Sequence, residues 1–256
     1  MSPRRWQALT FLAAHGSMTV MLMANQTGVS RVTAHRDLAA LYAAGLVERS
    51  CSDEDRTHTW FYSSTKSGNE LVAQRLRAAG RPVPLFPERR YADRAYWMLF
   101  APLVSVAAQH PDRCRLLRWL PRLDTAMWLR EHQLTTLSAD GHGVWLQDGK
   151  VLRFLVQVES RRRETISRAA GSELVLDMLA GYRGHDPLLP VNAVLLIMQD
   201  DACEEEIHRD LTARPLRAPF ATTTEDLLCR GTPTDTIWRA VNAPAERLSL
   251  IGLADR

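Results

Sequence analysis

The chain has 256 residues, enough for one large domain or two ordinary ones, and 46% hydrophobic and 24% charged residues are typical of a globular protein. No apolar run reaches the roughly 18 residues of a transmembrane helix, and the stretch after Arg4 and Arg5 lacks the cleavage pattern of a signal peptide. We therefore expect no membrane partner. The net charge of +3 arises in the first third of the chain, as in an N-terminal nucleic-acid-binding module.

The cysteines, at positions 51, 114, 203 and 229, are far apart and form no C-x-x-C motif. A zinc site or a redox pair is therefore not expected, and neither is a cofactor. Reduced thiols indicate a cytoplasmic protein. The sequence also lacks the phosphate-binding motif of P-loop enzymes and the G-x-S-x-G motif of hydrolases.

Residues 1–80 carry, in chain order, the signals of three helices, two strands and a fourth helix. Helical spacing predicts a first helix over 4–15, Thr19 is placed to cap a second, and Ser30 to cap a third that ends at Gly45. "GLVERS" and "TWFYSST" indicate strands joined by the polar loop "CSDEDRTH", and "KSGNELVAQRLRAA" indicates a helix. This order predicts an α+β winged helix-turn-helix domain that binds DNA.

The third helix has the pattern of a recognition helix. Ala34, Leu38 and Leu41 follow helical spacing on one face, which we expect to be buried. The opposite face is polar and cationic near the N-terminus, where recognition helices contact base edges. Arg36 is suited to guanine O6 and N7 and Val32 to a thymine methyl, while hydroxyl groups at the helix N-terminus are suited to a phosphate. The candidate DNA-binding residues are Ser30, Arg31, Val32, Thr33, His35, Arg36 and, in the loop between the strands, Arg56.

Two alternatives stay open for this domain. The helix also fits an ordinary amphipathic surface helix, and the acids from Asp53 to Asp55 in the loop would repel phosphate. A winged helix that binds protein instead of DNA is therefore an alternative function.

The rest of the chain predicts an α/β domain with a mixed sheet over 91–256, after a proline-containing linker over 81–90. Residues 91–133 have a mostly helical pattern, and a helix is also expected over roughly 163–181. The segments that indicate strands are "LTTLS", "GVWLQ", "KVLRFLVQVES", "NAVLLIMQ" and "APFATTT", and those that indicate helices are "ACEEEIHRDLTAR" and "TEDLLCR". The "DG" at 148–149 predicts a hairpin turn.

Acids near neighbouring strand ends suggest a magnesium-dependent nuclease core in this domain. The candidate catalytic residues are Asp140, Gln157, Glu159 and Arg161. Gln157 stands where a second acid is expected, and Arg161 stands where a lysine would orient the attacking water. The alternative is structural: Asp140 belongs to a turn and Glu159 ends a buried strand. We expect an inactive nuclease-like domain, and Mg²⁺ binding only if the nuclease alternative holds.

"VSRVTAHRDLAALYAAGLVER" resembles the core of bacterial winged-helix regulators, and the arrangement of the whole chain resembles the replication-relaxation family of plasmid and mobile-element proteins. The resemblance implies a restriction-endonuclease-like second domain, with "PD" at the place of Ala139-Asp140 and E-x-D at 157–159. It also implies a DNA-binding transcription regulator or an accessory factor of plasmid replication or mobilisation. Duplex DNA is the expected partner, the expected assembly is a homodimer, and a protein partner is a further expectation for the C-terminal domain.

Overall fold

The computed structural model describes residues 1–51, 60–81, 83, 86, 95–159, 182, 190–213, 219–241 and 246–255. The chain forms two units, Met1–Tyr96 and Trp97–Arg256. Most of the predicted linker, all but the first residue of the predicted loop "CSDEDRTH", and the helix expected over 163–181 lie outside the described residues. In the described part of the chain, every helix is too short or too polar to cross a membrane.

The N-terminal unit has the predicted winged helix-turn-helix order. Its elements are α1 (Pro3–His15), β1 (Met18–Thr19), α2 (Val20–Thr27), α3 (Arg31–Ala43), β2 (Val47–Cys51), β3 (Trp60–Ser64) and α4 (Lys66–Ala78). The strands form an antiparallel sheet in the order β1-β3-β2. Leu9, Leu12, Leu38, Leu41 and Val72 are buried in this unit, and they come from α1, α3 and α4.

Local side-chain caps fix the starts of α2 and α3. The hydroxyl of Thr19 accepts the Leu22 N–H, and the hydroxyl of Ser30 accepts the Thr33 N–H, as the sequence predicted. Gly28 closes α2 in the left-handed region at φ 65°, which a glycine adopts without strain, and so allows the tight turn into α3.

The C-terminal unit contains the predicted mixed sheet. A π-helical turn (Tyr96–Phe100) leads into its first α-helix. Its elements are α5 (Ala101–Gln109), β4 (Cys114–Pro121), α6 (Arg122–Glu131), β5 (Gly141–Gln147), β6 (Lys150–Val158), β7 (Ala193–Met198), α7 (Asp201–Ala213), β8 (Phe220–Thr224), α8 (Glu225–Arg230), β9 (Trp238–Ala240), β10 (Arg247–Leu248) and a 3₁₀ turn (Ile251–Asp255). The sheet order is β10-β9-β8-β7-β6-β5-β4, with β6, β7 and β8 parallel and the other pairs antiparallel.

Three details of the predicted C-terminal domain were wrong. The segment 91–133, predicted to be mostly helical, also contains strand β4, which carries a bulge between Leu116 and Arg118. The segment "LTTLS" forms turns instead of a strand, with Leu134 and Leu137 buried. Strands β9 and β10, of three and two residues, were missed because so short a run shows no periodicity.

Each face of the sheet carries a packed core. On one face, Trp119 lies 6.3 Å from Phe154 and 5.4 Å from Phe100, between ring centroids. A Cβ at Gly143 would lie 2.2 Å from the ring of Phe154, so glycine is required there to seat that ring. On the other face, a second core includes Trp128 of α6, Leu155 and Leu196 of the sheet, and Ile207 of α7.

Candidate nucleic-acid interface

Helix α3 is buried on one side and exposed on the other. Ala34, Leu38 and Leu41 face the core as expected. The exposed side carries Arg31, Val32, His35 and Arg36, with Thr33 half-buried. Val32 leaves 60% of its surface exposed, which is high for a valine and puts an apolar contact beside the arginines. The predicted DNA-reading residues of α3 therefore lie together on one open surface.

Two side-chain hydroxyl groups lie at the N-terminus of α3. Oγ of Ser30 lies 2.9 Å from Oγ1 of Thr33 and 3.3 Å from the Thr33 backbone nitrogen. Both hydroxyls lie at the positive end of the helix dipole, where an anion is favoured. Arg56, the remaining DNA-binding candidate, lies outside the described residues, as do the acids from Asp53 to Asp55.

Asp37 anchors the buried side of α3 to α1, and sequence reasoning missed this role. Its carboxylate accepts hydrogen bonds from Nε of Arg4 at 2.6 Å and Nε of Arg5 at 3.1 Å. Burial raises the pKa of Asp37, but the hydrogen bonds and charges of the two arginines outweigh burial and hold that pKa below its ordinary value. Arg4 and Arg5 therefore orient the recognition helix. The sequence signal that could have predicted this role is the acidic residue at the centre of an otherwise apolar helical face.

We expect Asp37→Asn to lower the free energy of unfolding of the N-terminal unit by about 1–2 kcal/mol, because the charged hydrogen bonds to Arg4 and Arg5 are lost. Denaturant titration at pH 7 measures the effect. Since the folded pKa of Asp37 is depressed, its contribution is present at neutral pH and is lost as the pH falls below the ordinary value of 3.8. Glu70→Gln on α4 is the matched control. Equal stability of Asp37→Asn and wild type would show that the pair contributes nothing.

A second cationic group lies beside α3, on strand β2. The guanidinium carbon of Arg49 lies 4.9 Å from the ring centroid of Tyr42 and 4.7 Å from that of Trp60. Both aromatic residues are 45% exposed. Stacking between two rings holds the exposed Arg49 in one orientation while its charge stays available to a phosphate. This role of Arg49 was not predicted from the sequence because the contact joins residues of three separate elements.

The family comparison agrees with this geometry. Residues 1–56, which include α1 through β2, match the model described as MarR family. Residues 1–56 carry a MarR-family winged helix-turn-helix DNA-binding domain. The replication-relaxation resemblance remains a prediction, and no curated protein matches the chain.

Three solved structures that are similar to this chain each cover 31% of it. A probable transcriptional regulator from Pseudomonas aeruginosa is 24% identical with a TM-score of 0.29, and the chain spans 59% of its length. MarR from E. coli is 19% identical with a TM-score of 0.29 and is covered over 58%. A winged helix-turn-helix DNA-binding domain from Mycobacterium bovis, described as homodimeric, is 30% identical with a TM-score of 0.28 and is covered over 69%.

Outside the MarR-family domain, the structure brings three of the nuclease candidates to one end of the sheet. Asp140 directly precedes β5, Gln157 lies near the end of β6, and Glu159 directly follows that strand. The Asp140 carboxylate accepts the Val158 N–H at 2.8 Å, and the Asp140 N–H donates to the Val156 carbonyl at 2.8 Å. Asp140 thus joins the ends of β5 and β6 by hydrogen bonds.

The remaining candidate, Arg161, lies outside the described residues. Within the described ranges, no group of three or more His, Cys, Asp or Glu side chains is placed to hold a metal ion. The nuclease-like core stays a prediction, because a mixed sheet alone is shared by many unrelated functions.

Proposed function

We propose that this protein is a sequence-specific, duplex-DNA-binding transcription regulator of the cytoplasm, and that α3 reads the major groove. The observation that carries the proposal is the open N-terminal face of α3, with Arg36 and Val32 side by side, inside a MarR-family domain. Arg36 has the planar fork that recognises guanine O6 and N7, and Val32 offers an apolar contact to a thymine methyl.

Phosphate contacts would fix the register of α3 in the groove. Arg31 is exposed in the first turn of α3, next to the hydroxyls of Ser30 and Thr33. Arg49 adds an oriented guanidinium from β2. Together with the helix dipole, these groups form an anion-binding border around the base-reading residues.

We propose a homodimer as the DNA-binding form, because one recognition helix covers only a few base pairs and dimers read two half-sites. Light scattering at micromolar concentration, with and without DNA, tests this assembly. A monomer under both conditions would contradict it. The narrower role as a plasmid replication or mobilisation factor rests on the resemblance alone, and so does a protein partner of the C-terminal unit.

The decisive experiment compares Arg36→Ala with wild type on the DNA upstream of the protein's own gene and on a scrambled duplex of equal length. If Arg36 reads a guanine, the variant loses about 1–3 kcal/mol of binding free energy on the specific site and relaxes sequence preference there. Binding isotherms at physiological salt measure both effects.

Arg77→Ala is the control, since Arg77 is an exposed arginine on α4. Unchanged affinity of Arg36→Ala for both duplexes would contradict the assignment of α3. Absence of any salt-dependent DNA affinity in wild type would favour the protein-binding alternative. Running the same samples with Mg²⁺ on a gel tests the nuclease prediction, and cleavage that is lost in Asp140→Ala would place the activity in the C-terminal unit.

A further inference from the structure

Three arginines share one face of the antiparallel strands β4, β5 and β6. Arg118 lies opposite Val144, which lies opposite Arg153, so these three form one row across the strands. A second row lies two residues further along β5, where Arg115 is opposite Leu146 and Leu146 is opposite Val151. Because directly opposed residues of antiparallel strands point to the same side, all six side chains lie on one face. We call Arg115, Arg118 and Arg153, with the aliphatic residues between them, the arginine face.

A β-bulge creates this face. Residues three apart in a regular strand point to opposite sides, so Arg115 and Arg118 would be separated by the sheet. The register shift between Leu116 and Arg118 inserts one extra residue, Leu117, and returns Arg118 to the side of Arg115. The same shift sends Trp119 into the aromatic core beside Phe154.

The arginine face is open and unbalanced in charge. Arg115, Arg118 and Arg153 are all exposed, and none of them makes an ion pair within the described part of the chain. Strands β4, β5 and β6 contain no Asp or Glu. Asp148, in the hairpin turn, is bound by Arg113 at 2.8 Å. The face therefore presents positive charge with no internal counter-ion on its strands.

Helix α6 covers the other end of the same face. Trp128 of α6 stacks on His142 of β5, with ring centroids 4.4 Å apart. The ring of His132 lies tilted against Trp128, with centroids 4.3 Å apart. His132 is exposed at the end of α6. Burial first, and then the charges of Arg118, His132 and Arg153, lower the pKa of His142 to about 4.

We propose that the arginine face binds the phosphate backbone of duplex DNA, as a second contact surface in addition to the winged helix. We choose DNA as the partner because its charge is complementary to this surface. The strands carry no acidic residue, and each exposed guanidinium can donate two parallel hydrogen bonds to the oxygens of a phosphate. Arg118 and Arg153 are separated by one strand, about 10 Å, so they would meet separate phosphates. The surface offers no base-reading element, and the contact is independent of sequence. This inference rests on the proposed DNA-binding function.

The salt dependence of DNA affinity tests the inference in the full-length protein. Arg118→Gln and Arg153→Gln are each expected to reduce the slope of log K against log salt concentration by about 0.9, the value for one lost phosphate contact, and the double variant by about twice that. The ratio of affinities for specific and scrambled duplexes is expected to stay at the wild-type value, because phosphate contacts are lost equally on both.

Arg209→Gln is the matched control, since Arg209 is an exposed arginine on α7 of the same unit, and its slope is expected to equal that of wild type. Wild-type slopes in both arginine-face variants, while Arg36→Ala still relaxes sequence preference, would overturn the inference and leave the proposed function standing. Failure of the wild-type protein to bind DNA would overturn both. Unchanged slopes together with Arg118-dependent sedimentation on phosphatidylserine vesicles would assign the face to a membrane surface and overturn the inference.

Discussion

Arg247→Met is expected to lower the free energy of unfolding of the C-terminal unit by about 3–5 kcal/mol, because it leaves a buried carboxylate without its charged partner. The guanidinium of Arg247 on β10 donates to both carboxylate oxygens of Glu204 on α7 and, at 2.7 Å, to the carbonyl of Ile237. The side chain of Glu204 is only 2% exposed. Thr222 donates to the same carboxylate at 2.7 Å, and its hydroxyl oxygen lies 2.7 Å from Nε2 of His208.

Denaturant unfolding of Arg247→Met, Glu204→Gln and the double variant separates the buried charge from packing. The double variant is expected to be more stable than Arg247→Met alone, since the uncompensated carboxylate is gone. Arg230→Met is the control: its pair with Asp226 is a surface i,i+4 contact and contributes about 0.3–0.5 kcal/mol. If Arg247→Met and Arg230→Met have equal stability, the pair between Arg247 and Glu204 does not stabilise the β10 edge of the sheet.

The N-terminal unit was predictable from sequence because its signals are local. The caps at Thr19 and Ser30 and the spacing of Ala34, Leu38 and Leu41 each lie within one helix, and each was found where it was expected. The anchoring of α3 was not predictable in this way. The partners of Asp37 lie 33 and 32 residues away, and only the packing of α1 against α3 brings them together.

The C-terminal unit was predicted less well because its defining features depend on strand register. Arg115 and Arg118 have helix-like spacing, and only the pairing of β4 with β5, with its bulge at Leu117, places them on one face of a strand. Whether Arg118 and Arg153 share a face depends on the pairing of three strands, which no local pattern encodes. The pair between Glu204 and Arg247 spans 43 residues and uses the two-residue strand β10, which is too short to show a periodic signal.

The candidate nuclease residues show the opposite limit of sequence reasoning. Asp140, Gln157 and Glu159 were expected to lie together, and they occupy one end of the sheet. Their proximity did not reveal the hydrogen bond that Asp140 makes. Its carboxylate accepts the Val158 N–H and so links the ends of β5 and β6. A carboxylate at a strand end serves structure as readily as chemistry, and sequence position alone does not distinguish the two.

Acidification from pH 6.5 to 4 is expected to cost the C-terminal unit about 3 kcal/mol through one residue, His142. Burial, and then the charges of Arg118, His132 and Arg153, lower the pKa of His142 from 6.5 to about 4. Between these values the imidazole is protonated in the unfolded chain and neutral in the folded one. Unfolding therefore takes up a proton, so the stabilising contribution is complete above pH 6.5 and is lost as the pH falls toward 4.

His142→Phe isolates this effect, because a phenyl ring can stack on Trp128 as the imidazole does but does not titrate. Amide hydrogen exchange, which resolves the stability of each unit, is measured for both proteins at pH 7 and at pH 4.5. The variant is expected to lose much less stability than wild type in the C-terminal unit on acidification. The N-terminal unit is the internal control, since burial lowers the pKa of His15 to about 4 and gives both proteins the same acid loss there. An equal acid loss of the C-terminal unit in both proteins would show that His142 does not set its pH dependence, because the only group removed is the imidazole.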